Sequence, residues 1–232
     1  MSVVGPRAEA IPFSNQEDED SYCVVENPFP CYGRPDTGGD TYFGKISTNG
    51  NHELANEQFE REKELRKKLT DVCNENGLDV DDFFVFADCA CGLSDEHIQT
   101  LLAGKICSFV SGRSTQLLVP KKGQSLKILR EEEHEFSERC IADSVLVAVL
   151  LLLKVGYQHG DLADRNIVVD DSGLARLIDF HTTTEVERNA LDESLTAIRS
   201  IFPEHTDRIN RKGKSLPLAI QAYRNSCARL KR

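Results

Sequence analysis

Three oxygen-bearing side chains, Asp161, Asn166 and Asp179, bracket two apolar runs that are separated by Asp170-Asp171-Ser172-Gly173. Partly β-branched runs (Ile167-Val168-Val169, then Leu174-Ala175-Arg176-Leu177-Ile178) around an Asp/Ser/Gly turn predict a β-hairpin. With Ser172-Gly173 as a two-residue loop, Asp171 pairs with Leu174 and Asn166 falls opposite Asp179. The hairpin then carries an amide oxygen and a carboxylate to one end. That donor set suits Mg2+, which takes one or two carboxylates with substrate phosphates and keeps its remaining waters. Asp161, one tight turn before Asn166, lies within reach of the same spot, where a carboxylate beside phosphates can accept the proton of an attacking hydroxyl. The same letters also describe a hairpin with ordinary capping polar residues at its ends.

His159-Gly160-Asp161-Leu162-Ala163-Asp164-Arg165-Asn166, followed after the hairpin by Asp179-Phe180, resembles the catalytic loop and metal-binding strand of the protein kinase-like superfamily, written H-x-D-x-x-x-x-N and D-F-G. The resemblance implies Asp161 as catalytic base, Asn166 and Asp179 as Mg2+ ligands, and ATP as phosphoryl donor. Leu162-Ala163-Asp164-Arg165-Asn166 is similar to the tyrosine-kinase form L-A-A-R-N. Ala163 leaves out the lysine of Ser/Thr kinases, so Arg165 is the nearest cation for a transferring phosphoryl group; its structural alternative is a salt bridge to Asp164 or Glu185.

Elements must position these residues. A helix over 137–155, with the apolar run 145–153 buried on most sides, delivers His159. After the hairpin, Thr184 and Glu187 form a capping box for a helix to about Ile201, stopped by Pro203, and 216–230 is the last helix. Upstream, 41–47 alternates as a strand carrying Lys45. Residues 51–74, rich in Glu, Lys, Leu and Arg without Gly or Pro, predict a long amphipathic helix with Phe59, Leu65 and Leu69 inward. Short strands are predicted at 22–25, 83–87, 106–110 and 115–119, with a helix over 95–103 capped by Ser94. Pro120-Lys121-Lys122-Gly123 looks like a hinge into a mainly helical lobe.

Sheet and long helix first, helical lobe second, also resembles the kinase order. The resemblance implies that Lys45 contacts the α- and β-phosphates and that Glu62, in Phe59-Glu60-Arg61-Glu62-Lys63-Glu64-Leu65, holds that lysine in place. Lysine and glutamate are also the commonest residues on any solvated helix or strand face, and Glu60 and Glu64 compete for the role. Leu117-Leu118-Val119 would wall the adenine side, with Val119 and Lys121 at its edge, although lysine in such a turn is commonly just solvated.

Departures from the family pattern are specific. Gly33, Gly38, Gly39 and Gly44 make no G-x-G-x-x-G, and Gly38-Gly39 reads as a phosphate-covering loop or a flexible linker. His181 stands third in D-F-G. Gly160 replaces the arginine of H-R-D, so control by loop phosphorylation is not indicated. Only 52 residues follow Phe180, without an A-P-E. His159-Gly160-Asp161 and Ile178-Asp179-Phe180 are also similar to the H-G-D and I-D-F of aminoglycoside and choline phosphotransferase-like enzymes.

The 232 residues carry a net charge of −10, which argues against a nucleic-acid or anionic-membrane binder held by bulk electrostatics. No run approaches the roughly 20 apolar residues of a membrane span, and no secretory signal opens the chain. Eight cysteines without a C-x-x-C read as free thiols of a reducing compartment, cytoplasmic with the nucleus as alternative. The expectation is an α+β, bilobal protein kinase-like fold: a poorly ordered tail over 1–40, a small sheet-plus-helix N-lobe over 41–122 and a shortened, mainly helical C-lobe over 123–232. The function expected is ATP- and Mg2+-dependent transfer of the γ-phosphate to a hydroxyl, protein Ser/Thr/Tyr ahead of small molecule. The alternatives are a kinase-like scaffold module without turnover, and a fragment of a longer gene product.

Overall fold

A computed structural model of the chain describes residues 22–26, 42–47, 52–104 and 114–227. The expected strand at 106–110, the rest of the 1–40 tail and Gly33, Gly38 and Gly39 lie outside the described residues. Helices and small antiparallel sheets combine in an α+β arrangement, as expected, and the chain divides into two units: Met1–Lys63 with Phe86–Lys121, and Glu64–Val85 with Lys122–Arg232.

In the first unit, β1 (Tyr22–Glu26), β2 (Tyr42–Ser47), β3 (Cys89–Gly92) and β4 (Thr115–Pro120) form an antiparallel sheet in the order β1-β2-β4-β3. Gly44 and Ile46 of β2 are buried while Phe43 and Lys45 are half-buried, the alternation of a strand with one face inward. Lys45 pairs with Val24 on one side and Leu117 on the other, and Phe43 pairs with Val119. Helix α1 (His52–Glu75) begins in this unit and continues in the other. Helix α2 (Asp95–Ala103) is capped by Ser94, whose Oγ accepts the His97 N–H at 3.3 Å, and it buries Ile98 and Leu101.

The long helix follows from composition: good helix formers throughout, with Glu57–Arg61 and Glu64–Lys68 ion pairs one turn apart. Its buried stripe is Gln58, Glu62, Leu65, Leu69 and Cys73. Leu65 and Leu69 are inward as expected, whereas Phe59 is half-buried and the polar Gln58 and Glu62 hold the stripe's first positions.

The second unit is built on α4 (Glu138–Lys154), preceded by β5 (Gln124–Ser125) and α3 (Leu126–Glu131). Ser137 caps α4 through its Oγ and the Cys140 N–H, and every residue from Cys140 to Leu152 is buried. After it come β6 (Tyr157–Gln158), β7 (Ile167–Val169), β8 (Ala175–Leu177), β9 (Thr184–Glu185), α5 (Ala190–Ile201), α6 (Thr206–Lys212) and α7 (Leu216–Cys227). Helix α4 packs on α5, α7 and β8. Asp143 is buried in α4 because Arg208 of α6 grips both its oxygens, Nε at 2.8 Å from Oδ1, and the Ser226 hydroxyl of α7 donates to Oδ2 at 2.6 Å. The pairing also raises the Arg208 pKa above its ordinary value.

Four readings of the sequence need correction. Residues 83–87 are not a strand. Phe83, Phe84 and Val85 are buried, and they meet β8 at an isolated parallel bridge in which Leu177 N–H donates to Phe83 O at 2.8 Å and Val85 N–H to Leu177 O at 2.9 Å. A fully buried apolar run looks the same in either state. Thr184 does not cap a helix; it pairs in β9 with Gln158 of β6, and α5 starts at Ala190. The cysteines are not all free thiols: Cys140 and Cys227 form a disulfide between α4 and α7, and Cys91 is disulfide-bonded as well. Cys73 and Cys89 are not in disulfides.

The fourth correction concerns the hairpin. Observed pairs are Ile167 with Leu177, Val168 with Arg176 and Val169 with Ala175, one residue out of the predicted register. The loop is Asp171-Ser172-Gly173, closed by Gly173 N–H to Asp170 O at 2.7 Å and Asp170 N–H to Leu174 O at 3.1 Å, with Gly173 at φ 82°. This is the three-residue turn with a left-handed glycine in its last position. Asp170 selects it, because its Oδ1 accepts from Ser172 N, Ser172 Oγ and Leu174 N while Arg176 binds Oδ2 at 2.7 Å.

Candidate active site

The corrected register puts Asn166 opposite Ile178 rather than Asp179: Ile178 N–H donates to Asn166 O at 3.0 Å. A regular strand would send the next side chain, Asp179, to the opposite face. Asp179 instead adopts φ 64°, a left-handed conformation that breaks the alternation at the residue whose direction matters.

Asp161 and Asn166 are joined directly. The Asn166 Nδ2 donates to the Asp161 carbonyl oxygen at 2.8 Å and to Asp161 Oδ2 at 2.9 Å. Asn166 is 2% exposed, so its amide has no freedom to flip, and its Oδ1 is the atom left to act as an acceptor. Arg165, four residues after Asp161, puts one guanidinium nitrogen 2.7 and 2.8 Å from the two Asp161 oxygens. The structural alternative for Arg165, a bridge to Asp164 or Glu185, is replaced by a bridge to Asp161 itself.

His159 is a strut. Its Nε2 donates to Ile178 O at 2.9 Å, its ring stacks at an angle on Phe180 with centroids 5.3 Å apart, and it is 4% exposed. Burial lowers its pKa below the ordinary 6.5, against the opposing pull of the Ile178 carbonyl. Ile178 is thus held at both peptide groups, by His159 and by Asn166, and the two segments of the site are fixed through it. Gly160 sits at φ 77° with the position of a Cβ only 2.2 Å from Thr182 O. The Thr182 hydroxyl donates to His159 O at 2.9 Å and Val186 N–H to Gly156 O at 3.0 Å, so the segment after Asp179 runs tightly along β6. An arginine could not occupy position 160 in this packing.

His181 contacts the would-be metal ligand: its Nδ1 is 2.6 Å from Asp179 Oδ1. The donor set fits a hard divalent cation, with a carboxylate in Asp179 and an amide oxygen in Asn166 whose nitrogen is committed elsewhere. Among the described residues no three His, Cys, Asp or Glu side chains gather into a group that could hold a metal ion.

The remaining candidates belong to the first unit. Glu62 is 5% exposed and accepts from Ala87 N at 2.8 Å and Gln58 Nε2 at 2.9 Å. Its two competitors face solvent: Glu60 pairs with Lys63 and Glu64 with Lys68. Lys45 and Val119 are half-buried on neighbouring strands. The Lys121 ammonium lies 5.1 Å from the centre of the Phe43 ring, a cation–π contact. Sequence reasoning placed His159 at the head of the motif without assigning it the strut role, and it missed Ile178, whose part is played by backbone groups, and Thr182, whose part is played by a hydroxyl that nothing in the sequence distinguishes.

No protein-family model matches the chain, nor does any curated protein. Among solved structures it is similar to monomeric WbdD, at 18% identity and a TM-score of 0.47, over 80% of this chain and 43% of that one. It is also similar to a high-resolution crystal structure of WbdD, at 14% identity and TM-score 0.49 over 87% and 46% of the two chains. A third similar structure is described as the bifunctional kinase-methyltransferase WbdD, at 16% identity and TM-score 0.45 over 82% and 41%. The chain spans less than half the length of these solved chains.

Proposed function

We propose that this chain is an ATP- and Mg2+-dependent phosphotransferase that moves the γ-phosphate to a hydroxyl. The observation that carries the reading is the Asp161–Asn166 pair, hydrogen-bonded at the end of a hairpin whose other strand leads straight into Asp179. Bound Mg2+, held by Asn166 Oδ1 and Asp179, would neutralise phosphate charge. Asp161 orients the acceptor hydroxyl and takes its proton as the acceptor oxygen bonds to the γ-phosphorus and the bond to the β,γ-bridging oxygen breaks, releasing ADP. The proton then passes from Asp161 to solvent. Arg165 holds Asp161 in place and offers positive charge to the transferring group. In the first unit, Lys45 takes the α- and β-phosphates, Glu62 supports Lys45, and Val119 and Lys121 serve the nucleotide's base edge. Positioning and charge neutralisation supply most of the rate. A protein hydroxyl is the first acceptor class, a small-molecule hydroxyl the second.

A scaffold reading has one observation in its favour: Asp161 is occupied by Arg165 and Asn166, and Asp179 by His181, as a resting or retired site would be. Calorimetry of ATP with and without Mg2+, on the wild type and D179N, decides. Metal-dependent binding lost in D179N supports the phosphotransferase; no binding at millimolar ATP makes the scaffold reading the better one. Turnover that survives D161A would sink the catalytic assignment.

A further inference from the structure

We propose that Thr182 is a positioning residue whose hydroxyl staples the segment after the hairpin to His159 and thereby keeps Asp179 in its left-handed conformation; the inference rests on the metal site of the proposed function. His159 holds this segment at both ends. Its Nε2 donates to Ile178 O at 2.9 Å, and its own carbonyl oxygen accepts the Thr182 hydroxyl at 2.9 Å. Asp179, Phe180 and His181 lie between the two contacts, with the Phe180 ring buried against His159 and Phe84. A Cβ at Gly160 would come within 2.2 Å of Thr182 O. The main chain at 182 therefore rests on the catalytic loop, and the hydroxyl reaches His159 O from there.

Such a staple has strain to oppose. Asp179 has φ 64°, a conformation that a residue other than glycine keeps only where its surroundings hold it. The left-handed region is disfavoured by roughly 5–30-fold for such a residue, and one neutral hydrogen bond shifts an equilibrium by about fivefold. The Thr182 bond is thus large enough to change the share of molecules that hold Asp179 ready for metal, and apparent affinity falls in proportion to that share. The neighbouring threonines differ from Thr182. The Thr183 hydroxyl is buried with no hydrogen-bond partner among the described residues, and Thr184 is exposed and accepts from Gln158 Nε2 at 3.1 Å.

The test combines calorimetry of ATP with and without Mg2+ and amide hydrogen exchange across 178–182, on the wild type, T182V, T182S and T183V. Valine keeps the branched shape of threonine and loses the hydroxyl, whereas serine keeps the hydroxyl. In T182V the Mg2+-dependent affinity for ATP should fall about fivefold, with metal-free ATP binding unchanged and faster exchange over 178–182. T182S and T183V should behave as the wild type. Wild-type exchange in T182V overturns the inference whether or not nucleotide binds. So does a T182V that keeps full Mg2+-dependent affinity beside a wild type that binds ATP in a metal-dependent way. A T182S that behaves like T182V, or a T183V weakened as much, would equally remove the hydroxyl of Thr182 as the cause. A wild type that binds no nucleotide with or without Mg2+ overturns the proposed function, and the role of Thr182 in metal binding falls with it.

Discussion

Asn166 directs both hydrogens of its carboxamide at Asp161, one to the backbone carbonyl at 2.8 Å and one to Oδ2 at 2.9 Å. Buried and doubly tethered, the side chain presents its oxygen in one orientation only. Asn166→Asp should be a worse change than its size suggests, because it brings a second carboxylate against Asp161 where a donor stood. The expected outcome is loss of Mg2+-dependent ATP affinity by tenfold or more in N166A, with N166D both weaker and less stable than N166A. Calorimetry and urea unfolding read the two effects separately, and an N166D as stable as wild type would contradict the assigned tether.

Arg165 and Asp161 form a pair whose side chains are 44% and 30% exposed, so solvent screens it and its contribution to stability is about 0–1 kcal/mol. Its proposed value is in orientation and charge. Arg165→Ala should therefore shift the urea midpoint little while lowering phosphoryl transfer by about 10–1000-fold, the range for removing one preorganised donor. A variant with full turnover would leave Arg165 as a structural partner only.

His159 makes stability pH-dependent in a definite direction. Burial lowers its folded-state pKa below the ordinary 6.5, so between those values the unfolded chain binds more protons than the folded one. Stability then rises with pH through that interval, and acidification from pH 6.5 downward removes it by at most about 1.4 kcal/mol per pH unit. Asp170 acts in a lower window. Burial alone would raise its pKa, but hydrogen bonds from Ser172, Arg176 and Leu174 outweigh that and lower it below 3.8. Its contribution is complete above that value and is lost as pH falls through the folded pKa. Urea midpoints between pH 7.5 and 5.5 should slope in the wild type and flatten in H159N; parallel slopes would remove His159 as the source.

The thiols divide by environment. Burial pushes the Cys73 thiol up to about 12, with Asp79 and Asp82 adding to the effect, and only the thiolate is a good nucleophile. Alkylation of the native protein should reach the half-buried Cys89 first and Cys73 only on unfolding. Cys140 and Cys227 close a loop of 87 residues, so in the chain-entropy picture reducing that disulfide costs about 4–5 kcal/mol. Mass spectrometry of alkylated peptides, with and without reductant, checks the order. Equal labelling of all four without reductant would exclude the bridge.

Local rules read well where one force dominated. Ser94 announces a helix start because its hydroxyl caps the run that follows, although the same signal misled at Thr184, and α4 is visible as a run too apolar for any surface. The α+β class and the sheet strands at 42–47 and 115–120 followed from the same logic. The register of the hairpin did not, because Ser172-Gly173 and Asp171-Ser172-Gly173 are both acceptable turns, and the choice rests with three hydrogen bonds into Asp170 Oδ1. Glu62 was one of three glutamates in four residues' reach, and only packing shows which faces inward. Cys140 and Cys227 are distant in sequence, and no spacing rule could pair them.

Gly160 and Gly156 offer a matched test of how the site's backbone is built. Both have positive φ, 77° and 89°, but a Cβ at 160 would lie 2.2 Å from Thr182 O while one at 156 meets nothing within 4 Å. Left-handed strain alone costs an alanine about 1–2 kcal/mol, and the backbone clash adds to it only at 160. Gly160→Ala should thus be more destabilising than G156A by at least about 2 kcal/mol in urea unfolding. The clash forces Thr182 away from His159, and the Ile178 peptide held by His159 moves with it. Asp179 follows one residue later, so G160A should also lose metal-dependent nucleotide binding while G156A keeps it. Equal stability losses in the two variants would mean that the close approach of 160 to 182 is not what fixes the segment.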